Sequence, residues 1–407
     1  MAGRPLGALA LIATLTAAGC ARPQPFLPVG TAPNVAMRPA HGASSLPGGW
    51  LPCGFPSRDD GGGDDVASAT HVAQCTVAID KSAGSQGDAI TSAIAGLHPQ
   101  DIVNAYRLPS NAPGMTVAIV DAFDDPNAES DLAVYRTKFG LPACTSANGC
   151  FAKLGQNGHA GSYPHPDAAW SYEIALDTEM VSAVCPHCSI LLVEANSANV
   201  DDLGAAVDTA VARGARIVSN SYYAHEWGGE KSEDVHYHHA GVAVTVSSGD
   251  VSAQFGGGEG DDAKARSDGP YYPATSPFVT AVGGTSLRGS LGAWTQKPWA
   301  YEGRGCSRYE SRPAFQPAVC SGRAAVDMAV EANPETGVAL YAQGAGGWIV
   351  GGGTSVGAPL IAAAYALSGN PQGPAYAYAH RSGFTGIGTS GFDVLSGLGS
   401  PQGVTGL

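Results

Sequence analysis

The sequence predicts an α/β fold with a mostly parallel central sheet and helices on both faces. Two patterns carry that prediction. Short β-branched apolar runs recur along the chain, and they alternate with segments of helical length and composition. The runs are apolar nearly throughout, as strands covered on both faces must be. The length, 407 residues, fits one large α/β domain with an appendage.

Taken in order, residues 1–20 read as an export signal. Arg4 supplies the charge, an apolar run follows, and Ala17-Ala18-Gly19-Cys20 ends it with small residues. Cys20 after Gly19 resembles a bacterial lipoprotein cleavage site, with Ala17 where leucine is usual, so Cys20 is a candidate for lipid attachment. No later stretch is long and apolar enough to span a bilayer. Residues 21–50, rich in Pro, Ala and Gly, read as a linker. Residues 51–96 form a small unit around Cys53 and Cys75, and the acidic run at 59–65 reads as a solvated loop without calcium-loop spacing. The main domain starts near Leu97 and takes up residues 97–407.

Within it, strands are expected over 115–120, 189–193, 216–219, 242–246 and 278–282, where β-branched residues cluster. Helices are expected over 128–139, with Asn127 as N-cap, over 170–184 and over 200–212. Residues 338–341 pair with 348–350. The stretch Gly351-Gly352-Gly353-Thr354-Ser355-Val356-Gly357-Ala358-Pro359 follows, then an alanine-rich apolar run to Leu367. Glycines open a tight turn and proline fits a first helical turn, so Ser355 should sit at a helix N-terminus.

Charged residues make up only 14% of the chain, hydrophobic ones 44%, and the net charge is −14. That balance argues against a nucleic-acid partner. Of nine cysteines, setting Cys20 aside leaves eight, whose clustering suggests local pairs 53–75, 144–150, 185–188 and 306–320 in an oxidising compartment. Cys185-Pro186-His187-Cys188 is also the tetrapeptide of strong thiol oxidants. There the first cysteine opens a helix, whereas Cys185 follows one, so a structural disulfide is the better reading and a thiol–disulfide oxidoreductase the alternative.

Ser355 alone reads equally as a helix cap or as a nucleophile facing N–H groups and a positive dipole end. A nucleophile needs a base. His98, His187 and His225 are isolated. His236, His238 and His239 lack an acid or cysteine at metal spacing, and Asp121 at the end of the first strand has no histidine partner. Carboxylates offer another route. Glu173 and Asp177, four apart, share one face of the 170–184 helix among apolar neighbours, where burial and mutual repulsion raise carboxyl pKa values. Asp250 closes the Ser-Ser-Gly-Asp turn at the end of the 242–246 strand, where open α/β sheets bind ligands. Taken singly, the pair reads as solvated helix acids and Asp250 as a turn residue.

Together these motifs resemble the sedolisins, serine-carboxyl peptidases with a subtilisin-like fold. The likeness runs from about Leu97 to the C-terminus. It includes Val218-Ser219-Asn220-Ser221-Tyr222, Tyr272-Pro273-Ala274, Ala281-Val282-Gly283-Gly284-Thr285-Ser286 and Ser396-Gly397-Leu398-Gly399-Ser400-Pro401. The resemblance implies Ser355 as nucleophile, Glu173 as general base, Asp177 as its orienter and a protonated Asp250 as oxyanion donor. It implies polypeptide substrates, endopeptidase action at acidic pH, a monomer exported from the cell, and residues 21–96 as linker and short pro-region. The family's calcium site uses two aspartates and backbone carbonyls. Asp393 matches the second, but Gly386 lies where the first is expected, so calcium binding should be weak or absent. A catalytically silent peptide-binding lipoprotein is the remaining alternative.

Overall fold

The computed structural model describes residues 1, 50–52, 71–75, 77–80, 94–109, 114–250, 269–290, 292–388 and 391–407. The export signal with Cys20, the 21–49 linker, Cys53 and the 59–65 loop lie outside the described residues. The chain divides into a leading segment, Met1–Arg38, and one compact unit, Pro39–Leu407, which holds every element below.

That unit opens with short strands β1 (Trp50–Pro52), β2 (Gln74–Cys75) and β3 (Ala78–Asp80), then helix α1 (Pro99–Tyr106). Alternation follows: β4 (Thr116–Ala122), α2 (Ala128–Lys138), β5 (Phe151–Gly155), α3 (Ala168–Val184), β6 (Ser189–Ala195), α4 (Val200–Ala212), β7 (Ile217–Asn220) and β8 (Tyr222–His225). Next come β9 (Ala243–Ser247), β10 (Tyr271–Tyr272), β11 (Thr280–Ser290), β12 (Ala293–Pro298), β13 (Cys306–Ser311), β14 (Gly322–Ala324) and β15 (Met328–Glu331). The chain ends with β16 (Val338–Ala342), β17 (Gly347–Gly352), α5 (Gly357–Ser368), α6 (Pro374–Ala379), β18 (Phe384–Thr385) and β19 (Ser400–Pro401).

The central sheet has the order β12-β11-β9-β7-β4-β6-β5, with β15 also on β11. All its pairings are parallel except β11–β12. Helices α3 and α5 pack on each other and on the sheet, while α4 packs on β4, β6 and β7 from the other side. This is the subtilisin-like arrangement the sequence implied. Helix α3 is buried from Glu173 to Val184 on every side, so its polar residues face protein, not water.

Local differences have local causes. Asn127 makes no side-chain cap for α2; its N–H is instead taken by Asp125 Oδ1 at 2.9 Å. Helix α3 starts two residues earlier than expected, because Asp167 caps it by accepting from Ala169 and Trp170 N–H, each at 2.9 Å. β11 does not stop at Val282. It runs through Gly283-Gly284, where a Cβ on Gly284 would sit 2.7 Å from Ala332 Cβ. These glycines admit a close neighbour rather than turn the chain. The disulfides 144–150, 185–188 and 306–320 form as expected. Cys75 is disulfide-bonded too, its expected partner Cys53 being outside the described residues.

Candidate active site

Ser355 lies in a single 3-10 turn, Thr354–Val356, between β17 and α5. Gly353 enters it at φ 92°, a backbone state that favours glycine, and its N–H anchors to Ala332 O at 2.6 Å. A Cβ on Gly357 would come within 2.6 Å of Val282 Cγ1, so α5 starts hard against β11. The serine is thus held at the amino end of a twelve-residue helix.

Helix α3 packs directly on this turn. It carries Glu173 and, one turn on, Asp177, both fully buried. Asp177 Oδ1 accepts from Ser221 Oγ at 2.9 Å. Its carboxyl is held well above the usual range by burial first, then by Asp121 and Glu173, with the Ser221 hydrogen bond opposing. Asp121, at the end of β4, is fully buried, and neither of its oxygens has a hydrogen-bond partner among the described residues. Burial pushes it up to about 8. Three buried carboxyls, Glu173, Asp177 and Asp121, therefore lie behind the serine, and desolvation favours the neutral forms of Asp177 and Asp121.

Asp250 approaches from the opposite side. Its Oδ1 accepts from Thr354 N–H at 2.9 Å and Thr354 Oγ at 2.8 Å, so it is fixed beside Ser355 through the preceding residue. Burial pushes this carboxyl up to about 7 against those two hydrogen bonds. All four residues singled out in the sequence thus converge on one turn.

A peptide strand already lies across them. Gln74 and Cys75 of β2 pair antiparallel with Tyr223 and Tyr222 of β8. On the other edge, Val72 bridges Asn199 and Ala73 N–H donates to Ala198 O at 2.7 Å. Further along, Ala78 to Asp80 pair antiparallel with Gly352 to Val350 of β17. Between the two pairings, Val77 N–H donates to Glu173 Oε2 at 2.7 Å. Reading the residues alone missed Val77, Ser221 and the place of Asp121. The antiparallel pairing that brings Val77 in has no signature in residues 71–80 themselves.

Other candidates resolve differently. The histidine cluster does meet an acid, since Asp208 on α4 contacts His236 Nδ1 at 2.7 Å and His239 Nε2 at 3.2 Å. Among the described residues, however, no group of three or more His, Cys, Asp or Glu could hold a metal. Cys185 and Cys188 are bonded and almost fully buried, out of reach of a thiol substrate. For calcium, Asp393 Oδ1 already accepts from Leu395 and Ser396 N–H at 2.8 and 2.9 Å, and its Oδ2 from Ser396 Oγ at 2.8 Å. Gly386 brings no carboxylate. These hydrogen bonds engage both carboxylate oxygens of the one aspartate in this loop.

The profile described as the subtilase family matches residues 157–380, more than half of the chain. Kumamolisin of Bacillus sp. (strain MN-32) is 29% identical over 315 residues, covering 69% of this chain and 53% of that protein. Xanthomonalisin of Xanthomonas sp. (strain T-22) is 26% identical over 336 residues, covering 69% of this chain and 39% of that protein. The chain thus spans about half the length, or less, of these curated relatives. Pseudomonas sedolisin, a serine-carboxyl proteinase solved with two molecules of pseudo-iodotyrostatin, superposes with a TM-score of 0.62 at 23% identity. That match covers 76% of this chain and 96% of the other, and it shows the shared fold. The chain belongs to the subtilase family, and its kin within that fold are the sedolisins.

Proposed function

We propose that this chain is a serine-carboxyl endopeptidase acting at acidic pH through an acyl-enzyme on Ser355. The observation that carries the reading is the backbone N–H of Val77 on Glu173 Oε2 at 2.7 Å, on a strand paired to both walls of the cleft. A carboxylate that holds a peptide nitrogen beside a helix-start serine is placed for two tasks. It takes the Ser355 proton during attack, and it returns that proton to the departing amine. Asp177, whose carboxyl burial holds well above the usual range, serves in this reading as the orienter of Glu173 and leaves it the proton acceptor of the pair. Asp250 supplies the oxyanion donor. Its Oδ1 is committed to Thr354, so Oδ2 carries the proton toward the developing charge.

Residues 71–80 act in this reading as the end of a short pro-region that fills the cleft until it is displaced. The Arg4-led apolar segment ending at Cys20 supports export. Polypeptides are the substrates, as the kinship with kumamolisin and xanthomonalisin supports.

The test is a mixed peptide library incubated from pH 3 to 9 with wild type, Ser355→Ala and Glu173→Ala. The wild type is expected to cleave on the acid side, and each variant to lose turnover while keeping its circular dichroism spectrum. Full activity in either variant would remove the mechanism.

A further inference from the structure

The strand lying in the cleft also reports how the cleft reads a sequence. If the Val77 nitrogen marks the leaving amine, Cys75, Gln74 and Ala73 are the second, third and fourth residues before the bond. Their burial alternates as a strand requires. Ala73 and Cys75 are each about 3% exposed, while Gln74 between them is half-buried. The third position is treated differently. Gln74 lies opposite Tyr223 in the antiparallel pairing, and directly opposed residues present their side chains to the same face. The Tyr223 hydroxyl donates to Gln74 Oε1 at 3.0 Å.

Tyr223 is prepared for this contact. It is 5% exposed. Its ring packs on Tyr271 at 4.5 Å between centroids, and Tyr271 lies on β10, which pairs with β8. Gly249 closes the other side, since a Cβ there would lie 3.0 Å from Tyr223 Cγ. The ring is therefore positioned by protein and not by the strand it reads. A substrate with a carbonyl acceptor on its third side chain satisfies the hydroxyl. An isosteric apolar side chain forgoes that hydrogen bond.

We propose that Tyr223 is a specificity-determining residue, selecting peptides whose third residue before the scissile bond carries a side-chain carbonyl acceptor, glutamine above all. This rests on the peptidase reading for its numbering, although the recognition itself needs only binding.

The experiment uses the full chain and fluorescent nonapeptides following residues 71–79, with serine at the Cys75 position and either Gln or Leu at the Gln74 position. In the turnover arm, wild type and Tyr223→Phe are compared by kcat/KM at acidic pH. Wild type should favour Gln over Leu by about five- to tenfold, the worth of one net hydrogen bond. Tyr223→Phe should bring the two within about twofold by losing the Gln peptide and leaving the Leu peptide unchanged. In the binding arm, the same peptides are titrated by fluorescence polarisation into Ser355→Ala and Ser355→Ala/Tyr223→Phe. The same ratio should appear and vanish there, because residues 71–80 of the chain compete equally with the Gln and the Leu peptide. A Gln preference that survives Tyr223→Phe, or none in Ser355→Ala, overturns the subsite. A preference in binding that depends on Tyr223, with no cleavage by wild type, upholds the subsite and overturns the peptidase reading instead.

Discussion

In the proposed mechanism Asp250 donates only while it holds its proton, and the proton is retained up to about 7 because burial outweighs the two Thr354 hydrogen bonds. The sign follows. The carboxyl is raised, so the donor form is complete in acid and is lost as pH rises through about 7. Asp250→Asn replaces the acid with an amide whose N–H does not ionise. It is expected to keep measurable kcat/KM and to lose the falling limb near neutrality. Asp250→Ala, with no donor, should fall by about 10²–10³ at all pH values. A pH profile of Asp250→Asn that still declines at the wild-type midpoint would detach Asp250 from that limb. Ser355, Glu173, Asp177 and Asp250 stood out in the sequence as a set, in motifs that resemble the sedolisins, although each taken singly reads equally or better as a cap, a solvated helix acid or a turn residue. Tyr223 and Val77 did not, because their contacts join residues 149 and 96 positions apart in the chain.

At the level of elements, the parallel strands were legible from their β-branched runs, and the misses share a cause. Gly283-Gly284 looks like a turn in sequence, yet the strand continues because Ala332 and Trp299 occupy the space of the missing side chains. β5 escaped notice because only Phe151 and Gly155 of its five residues are fully buried, so no apolar run marks it. The C-terminal loop is a case where donors decide the element's stability. Asp393 takes three hydrogen bonds from Leu395 and Ser396, which close the turn. Excess chelator is therefore expected to leave Tm unchanged. Asp393→Ala should lower stability by about 1–3 kcal/mol, seen by thermal unfolding with and without calcium. A Tm that drops with chelator and returns with calcium would show that the loop does bind the ion.

Across the whole molecule, the mostly parallel sheet and its helical covering were in reach of the sequence, whereas the strand order and the number of buried acids were not. Burial depends on what packs from elsewhere in the chain. Asp125 is pushed up to about 7, Asp121 and Glu331 to about 8, and Glu194 to about 9, with desolvation the first cause in each. In the unfolded chain these groups titrate near 4. Between that value and their folded values the native state binds more protons than the unfolded one, so stability falls as pH rises. The contribution is complete in acid, erodes through neutrality, and is exhausted once the groups ionise in place at about 7 to 9. In the proposed mechanism the oxyanion donor works in acid, where this contribution to stability is also complete. Denaturant midpoints measured every half unit from pH 4 to 9 should decline toward the alkaline end. Asp121→Asn isolates one member, since an amide cannot ionise. Its midpoint should fall less between pH 5 and 8 than that of the wild type. A wild-type midpoint higher at pH 8 than at pH 5 would mean that these carboxyls are ionised and compensated in the native state, and the account of the three acids behind Ser355 would fall with it.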